Sequence, residues 1–190
     1  MKHQLFLATL LALLIVACQP ASEGETAQAQ AQPATTNEIE QRLDELGIEL
    51  PEASTPVANY VNAVTTGNLV FLAGKGPKQA DGTYITGKVG ADLTEEEGYA
   101  AARLVAVNQL AALKAEIGSL DRVKRIVKVL GMVNCTPDYA NQPEVINGFS
   151  DLMVEVFGEK GKHARAAVGM GSLPRNIAVE IEMIVEIEPQ

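Results

Sequence analysis

In the stretch "HARAAVGMGSLPRNIAVEIEMIVEIE", from His163 to Glu188, one arginine stands among alanines and glycines. The next strand then carries glutamate on nearly every second place. A guanidinium clamps a carboxylate with two parallel hydrogen bonds. A glutamate removed from water holds its proton more tightly and can place a water or shuttle its proton. Arg165 is therefore a candidate anion clamp, and the glutamates of the next strand, Glu180, Glu182, Glu186 and Glu188, are candidate proton carriers. The structural alternative is an arginine paired with Glu182 or Glu186 across a subunit seam, beside a solvated acidic face. Other reactive residues offer less. Cys135 would need a base, and His163 is the only histidine beyond the leader. "GKGP" around Lys75 and "GEKGKHA" lack the spacing of a phosphate loop. No His/Cys/Asp cluster points to a metal, and no cofactor is expected.

The elements that must position these residues are legible. "NEIEQRLDELG" (Asn37–Gly47) reads as a short amphipathic helix, with Asn37 as cap and Ile39, Leu43 and Leu46 as its apolar stripe. "VANYVNAVTTGNLVFLAGKGP" reads as two strands turning at Thr66-Gly67-Asn68, and "DGTYITGKVG" as a third. A long helix follows, with a Thr94/Glu97 capping box, a stop at Gly118, and an apolar face of Leu104, Val107, Leu110, Ala111 and Leu113. "RVKRIVKVLGMVNC" is a strand too apolar to be one-sided. "QPEVINGFSDLMVEVFG" is a helix with Pro143 in its first turn and Gly158 at its end. Its inward residues are Val145, Phe149, Leu152, Met153 and Val156. The expectation is an α+β domain, a single mixed sheet of about six strands with two main helices on one face.

The last strand sorts by period two. Ile177, Val179, Ile181, Met183, Val185 and Ile187 point to the core; Ala178, Glu180, Glu182, Ile184, Glu186 and Glu188 point away. Read as a closing hairpin turning near Pro174-Arg175, the strand sets Glu180 opposite Gly169, with Arg165 about 13 Å further along. One small acid does not span that gap, so the two residues would meet only across subunits. Arg165, Ala167, Gly169 and Gly171 share one register, and such a small-residue face admits another backbone or subunit.

The N-terminus reads as an address. "MKHQLFLATLLALLIVACQP" has a basic start and an apolar run too short to span a membrane, which is the pattern of a secretory signal. "IVAC" resembles the lipobox of bacterial lipoproteins. That resemblance implies cleavage after residue 17 and lipidation of Cys18, the alternative being an ordinary signal. Gln19, not Asp, follows, which favours the outer membrane, on the periplasmic side. Residues 18–36 are Ala/Gln-rich and read as a flexible tether of roughly 25 Å. With Cys18 lipidated, Cys135 has no disulfide partner. Residues 37–55 form the helix and lead-in, and 56–190 the main domain. A net charge of −9, four Tyr, four Phe and no Trp argue against a nucleic-acid partner. The membrane is expected as a partner only through the lipid.

"ARAAVGMGSLPRNIAVEI" resembles the signature of the RidA/YjgF family of enamine/imine deaminases, also called endoribonuclease L-PSP. The likeness covers roughly Pro56 to Ile187, and "NGFSDLMVEVFGEKGKHAR" resembles one branch of it. The resemblance implies a fold like bacillus chorismate mutase, a homotrimer, and active sites in clefts between subunits. It implies that Arg165 grips a substrate carboxylate and Glu180 holds the attacking water. It also implies that Tyr60 lines the site and that Asn147 lies near it. Without the resemblance, Tyr60 reads equally as a core or interface residue and Asn147 as a surface one. The chain departs from the family pattern at Ala73, where a hydroxyl is common, at Lys75, where Gln is common, and at His163, where proline is common. Two functions stay open. One is hydrolysis of small carboxylate-bearing imines or enamines; the other is a non-catalytic, lipid-tethered trimeric module that binds a small molecule or a protein. Ala73 favours the second, Arg165 and Glu180 the first. A ribonuclease sits badly with the net charge.

Overall fold

A computed structural model describes residues 37–189, Val57 excepted; the leader, Cys18 and the tether lie outside the described residues. The short helix α1 (Glu38–Glu45) forms as the apolar stripe demands, with Leu43 buried against the domain. Asn37 makes no side-chain cap; Asp121 Oδ1 accepts from the Ile39 N–H at 2.9 Å instead. β1 (Ala63–Thr66) and β2 (Leu69–Lys75) pair through a two-residue turn in which Gly67 takes φ 58°.

α2 (Glu95–Ile117) starts at the Thr94/Glu97 capping box and stops at Gly118, whose φ is 83°. Its buried face is rotated from the expected one. Val105, Ala106, Gln109, Leu110 and Leu113 are sealed, while Leu104 and Val107 are half-buried. The reason is two partners, since both the sheet and α3 (Gln142–Phe157) cover this helix and small residues meet the latter. Gly148 of α3 lies so close to α2 that a Cβ there would overlap the Tyr99 carbonyl oxygen. The inward residues of α3 include all five that the sequence indicates, and Ile146, Gly148 and Phe157 are buried as well.

The sheet has five strands, in the order β1-β2-β5-β3-β4, where β3 is Val123–Asn134, β4 Ala164–Met170 and β5 Val179–Ile187. It is mixed and carries its helices on one face, as expected. Two expectations fail. "DGTYITGKVG" forms only isolated bridges, Tyr84 with Lys78, Thr86 with Ile177, and Val89 with Leu93 and Cys135. Gly82, Gly87 and Gly90 take positive φ there and break the extended chain. The closing hairpin also does not exist. β3 lies between its two halves, antiparallel to β5 and parallel to β4. The cause is the β3-α3-β4 unit, since a helical crossover brings the next strand back parallel. The apolar character of β3 suits this interior position.

The turn at Pro174–Asn176 therefore steps over the end of β3 rather than folding tightly. Arg175 and Asn176 sit at φ 55° and 57°. The wholly buried Asn134 pins this turn, donating to Asn176 Oδ1 at 2.9 Å while its own Oδ1 accepts from Lys88. Among the described residues, no helix is long and apolar enough to cross a membrane.

Gly148→Ala is expected to cost about 3 kcal/mol or more, because backbone rather than a flexible side chain blocks the new methyl. Thr94→Ala is expected to cost only about 1 kcal/mol. Urea unfolding of both variants checks the order.

Candidate active site

Period two in β5 puts Glu180 on the face away from the helices, between the buried Val179 and Ile181. The pairing of β2 with β5 is interrupted between Leu72 and Lys75 by a bulge, and this break creates the site. Gly74 lies in the bulge, and a Cβ there would overlap Glu180 Oε1. Only glycine lets the carboxyl lie against this backbone. A cleft of about 360 Å³ opens here, lined by Tyr60, Lys75, Lys78, Tyr84, Arg175 and Glu180 among others. Burial, and then the neighbouring charge of Glu182, raise the Glu180 pKa. Burial and Lys78 lower that of Lys75, whose ammonium donates to Asn62 Oδ1.

A bulge leaves ladder carbonyls without partners. Gln109, wholly buried in α2, supplies what the ladder lacks. Its Nε2 donates to the Ala73 carbonyl at 3.0 Å and to the Ile181 carbonyl at 2.7 Å. Its Oε1 has no hydrogen-bond partner. Gln109 thus ties both sides of the bulge to the helix and fixes the floor under Glu180. The sequence reading passed over it. The available signal was the Asn108-Gln109 pair of amides inside an otherwise apolar stretch of α2.

Arg165 lies elsewhere. Its register partner on β3 is Val129, which faces the helices, so Arg165 faces them too. Nη1 donates to Asn147 Oδ1 at 2.8 Å and to Ser150 Oγ at 3.1 Å. Arg165 makes no ion pair among the described residues, so a pairing with Glu182 or Glu186 is not seen within the chain. Glu180 aligns with Met132 and, across it, with Val168. Arg165 is thus two strands over and three residues along, about 14 Å away on the opposite face. The hairpin was the wrong route to that separation, yet a similar distance results.

The six residues singled out for this domain and leader therefore divide. Glu180 and Tyr60 share the cleft, with Tyr60 50% exposed at its rim. Arg165 and Asn147 form a second cluster. Ala73 is half-buried in the bulge, with its N–H and carbonyl both bonded inside the chain, and it does not line the cleft. Cys18 lies outside the described residues. The small-residue face has an internal cause at Gly169, where a Cβ would crowd Cys135 Sγ and Gln142 Nε2. Cys135 is buried and does not meet His163, whose ring nitrogens face Ser150 and Gly161. Among the described residues, no three His, Cys, Asp or Glu side chains converge as metal ligands would.

The family described as "YjgF/chorismate_mutase-like, putative endoribonuclease" matches residues 40–187. Protein TCP17 of Trypanosoma cruzi is 47% identical over 146 residues, covering 76% of this chain and 91% of its own. A 2-iminobutanoate/2-iminopropanoate deaminase of Dermatophagoides farinae is 30% identical over 142 residues, covering 74% of this chain and 95% of its own. The crystal structure of the protein Atu1372 from Agrobacterium tumefaciens, of unknown function, superposes with a TM-score of 0.74 at 47% identity. It covers 80% of this chain and 93% of that one. With its five-stranded mixed sheet, its helices on one face and a match across nearly the whole described domain, the chain belongs to the YjgF/RidA family.

Proposed function

We propose that this protein hydrolyses small 2-imino acids to 2-oxo acids and ammonia, in clefts shared between the subunits of a homotrimer. One observation carries the reading. The Glu180 carboxyl lies half-buried over a glycine bulge, its pKa raised, in a cleft large enough for a small acid. Such a group takes a proton from an attacking water more readily than an exposed carboxylate does. Water adds to the imine carbon, and the C=N electron pair moves to nitrogen, which takes up a proton. The carbinolamine then loses ammonia as its hydroxyl proton leaves and the C=O forms. Glu180 accepts and returns these protons. No cofactor enters the scheme. The deaminase name of the mite relative supports the reaction class.

Arg165 holds the carboxylate, with Asn147 fixing one guanidinium nitrogen. Because Arg165 and Glu180 lie on opposite faces, the complete site takes Arg165 from a neighbouring subunit. The uncovered sheet face supports such an assembly, for it carries Phe71, Leu130, Ile184 and Val168, with Phe71 42% and Val168 38% exposed. The signal segment and "IVAC" support export and a lipid anchor at Cys18, on the periplasmic side of the outer membrane.

A second reading is a non-catalytic module that holds a small acid or a partner protein. Lys75, Lys78 and Arg175 in the same cleft favour it, whereas Ala73, which does not line the cleft, bears on neither reading.

The first test traps 2-iminobutanoate, made by an amino-acid oxidase, with semicarbazide and asks whether the protein speeds its loss. Arg165→Ala is expected to raise KM about 10- to 100-fold by removing charge-assisted hydrogen bonds. Glu180→Gln is expected to lower kcat about 100-fold or more. Unfolding and refolding the two variants together is expected to restore about one quarter of wild-type activity, as random mixing of shared trimer sites requires. A monomer with full activity sinks the shared site. Binding of 2-oxobutanoate with no turnover of any imino acid selects the second reading.

The pH profile gives a separate check. The active carboxylate is lost as pH falls through the raised Glu180 pKa, so the acid limb of kcat lies above the ordinary carboxylate range. Glu182→Gln removes one cause of the rise and moves that limb to lower pH.

Gly74→Ala displaces the Glu180 carboxyl, which can swing away. Stability is expected to change by less than about 1 kcal/mol, while kcat falls nearly as far as in Glu180→Gln. Thermal melts beside kinetics separate the two effects.

A further inference from the structure

We infer that Ser150 and His163 form a hydrogen-bond relay that fixes the Arg165 guanidinium, and that this relay opens when His163 takes a proton. The inference rests on the reading of Arg165 as the carboxylate clamp. Its geometry follows from two periodicities. Asn147 and Ser150, three apart on α3, share the helix face toward β4. His163 and Arg165, two apart in extended chain, point to the same side.

The direction of each bond is determined. The Gly161 carbonyl can only accept, so His163 Nδ1, at 2.7 Å, carries the hydrogen. His163 Nε2 is then the acceptor of a neutral ring, and Ser150 Oγ donates to it at 3.1 Å. The Ser150 oxygen keeps its lone pairs for the Arg165 Nη1 donor at 3.1 Å. Asn147 Oδ1 accepts from the same nitrogen at 2.8 Å. One end of the guanidinium is thereby tied to α3, and a carboxylate would reach it through the other nitrogens.

Protonation reverses one bond. An Nε2–H points a donor at Ser150, whose own hydrogen must turn away from the ring and whose oxygen then accepts from two cations at once. A second cation then faces the guanidinium. The groups around the ring leave little to offset this. Arg165 faces it from β4, and α3 presents Ser150 and the edge of Phe149, ring centroids 6.5 Å apart. The preceding turn offers the Gly161 carbonyl, while Glu159 and Lys162 of that turn pair with each other at 2.6 Å. Burial, and then Arg165, hold the His163 pKa below the usual imidazole value, against the Gly161 bond, which raises it. The ring is neutral at neutral pH, and the relay is lost as pH falls through that lowered pKa.

The test uses the full chain and 2-oxobutanoate, a carboxylate probe that needs no catalysis. Calorimetry across pH is expected to show that Ser150→Ala and His163→Phe each weaken binding about three- to tenfold. The double variant should be no weaker than Ser150→Ala, because both act through one hydroxyl. Wild-type binding should weaken in acid, and that of His163→Phe should not. ¹⁵N NMR of the wild type should show the Nδ1–H tautomer, and Ser150→Ala should shift both the His163 Nε2 and the Arg165 guanidinium signals. Additive losses, matching pH profiles in wild type and His163→Phe, or guanidinium signals indifferent to Ser150→Ala would each overturn the relay. Failure of wild type to bind the probe while the NMR arm holds would fault the clamp and not the relay.

Discussion

The packing of α2 and α3 onto one face of the sheet is the contact on which the rest of the molecule depends. It seals Phe149, Leu110, Leu113, Ile181 and Met183 and supplies the main apolar burial. It also requires two close approaches, since Gly148 meets the backbone of α2 and Gly131 lies 2.6 Å, at an imagined Cβ, from the Ile146 side chain. Larger residues at these points would lift the helices from the sheet. That would withdraw Gln109 from the bulge and Asn147 and Ser150 from Arg165. The site and the core therefore share their scaffold.

The one-sided packing also explains why Arg165 and Glu180 lie apart. Residues on the helix face are held by helix side chains, and Arg165 is fixed that way. On the other face no helix side chain touches Glu180; it is held by the bulge, whose floor Gln109 ties to α2 from beneath. Neither half depends on the other for its geometry. A sheet of period two cannot turn both side chains to one side without a change of register, which would expose the alternate apolar set of β5. The proposed shared site would bring the two together through a second subunit and leave that core intact.

Each departure of this chain from the family pattern has a local consequence. Lys75 replaces an amide with a charge that is half-buried and bonded to Asn62. Ala73 contributes only its backbone, to Asn62 and Gln109. His163, where the resemblance implies proline, uses both ring nitrogens. Arg165 is thus bonded more fully than the sequence of the strand suggests, while Lys75, Lys78 and Arg175 line the cleft around Glu180.

The sequence alone determined whatever depends on neighbours along the chain. The capping box at Thr94 and Glu97, the turn at Gly67, the stop at Gly118, the inward face of α3 and the alternation in β5 are set by local periodicity and backbone preference. Arg165 and Glu180 stood out by residue type, but their placement on opposite faces of the sheet did not. What the chain order could not decide was which strands lie side by side. A sharp turn between β4 and β5 reads as a hairpin, and only the crossover through α3 places β3 between them. The same limit hid Gln109, whose partners Ala73 and Ile181 are remote in sequence. It hid the Ser150–His163 bond as well, since helix and strand spacings predict faces but not which faces meet. Side-chain direction is a local property of the backbone, whereas the distance between two side chains on different elements is decided only when the core closes.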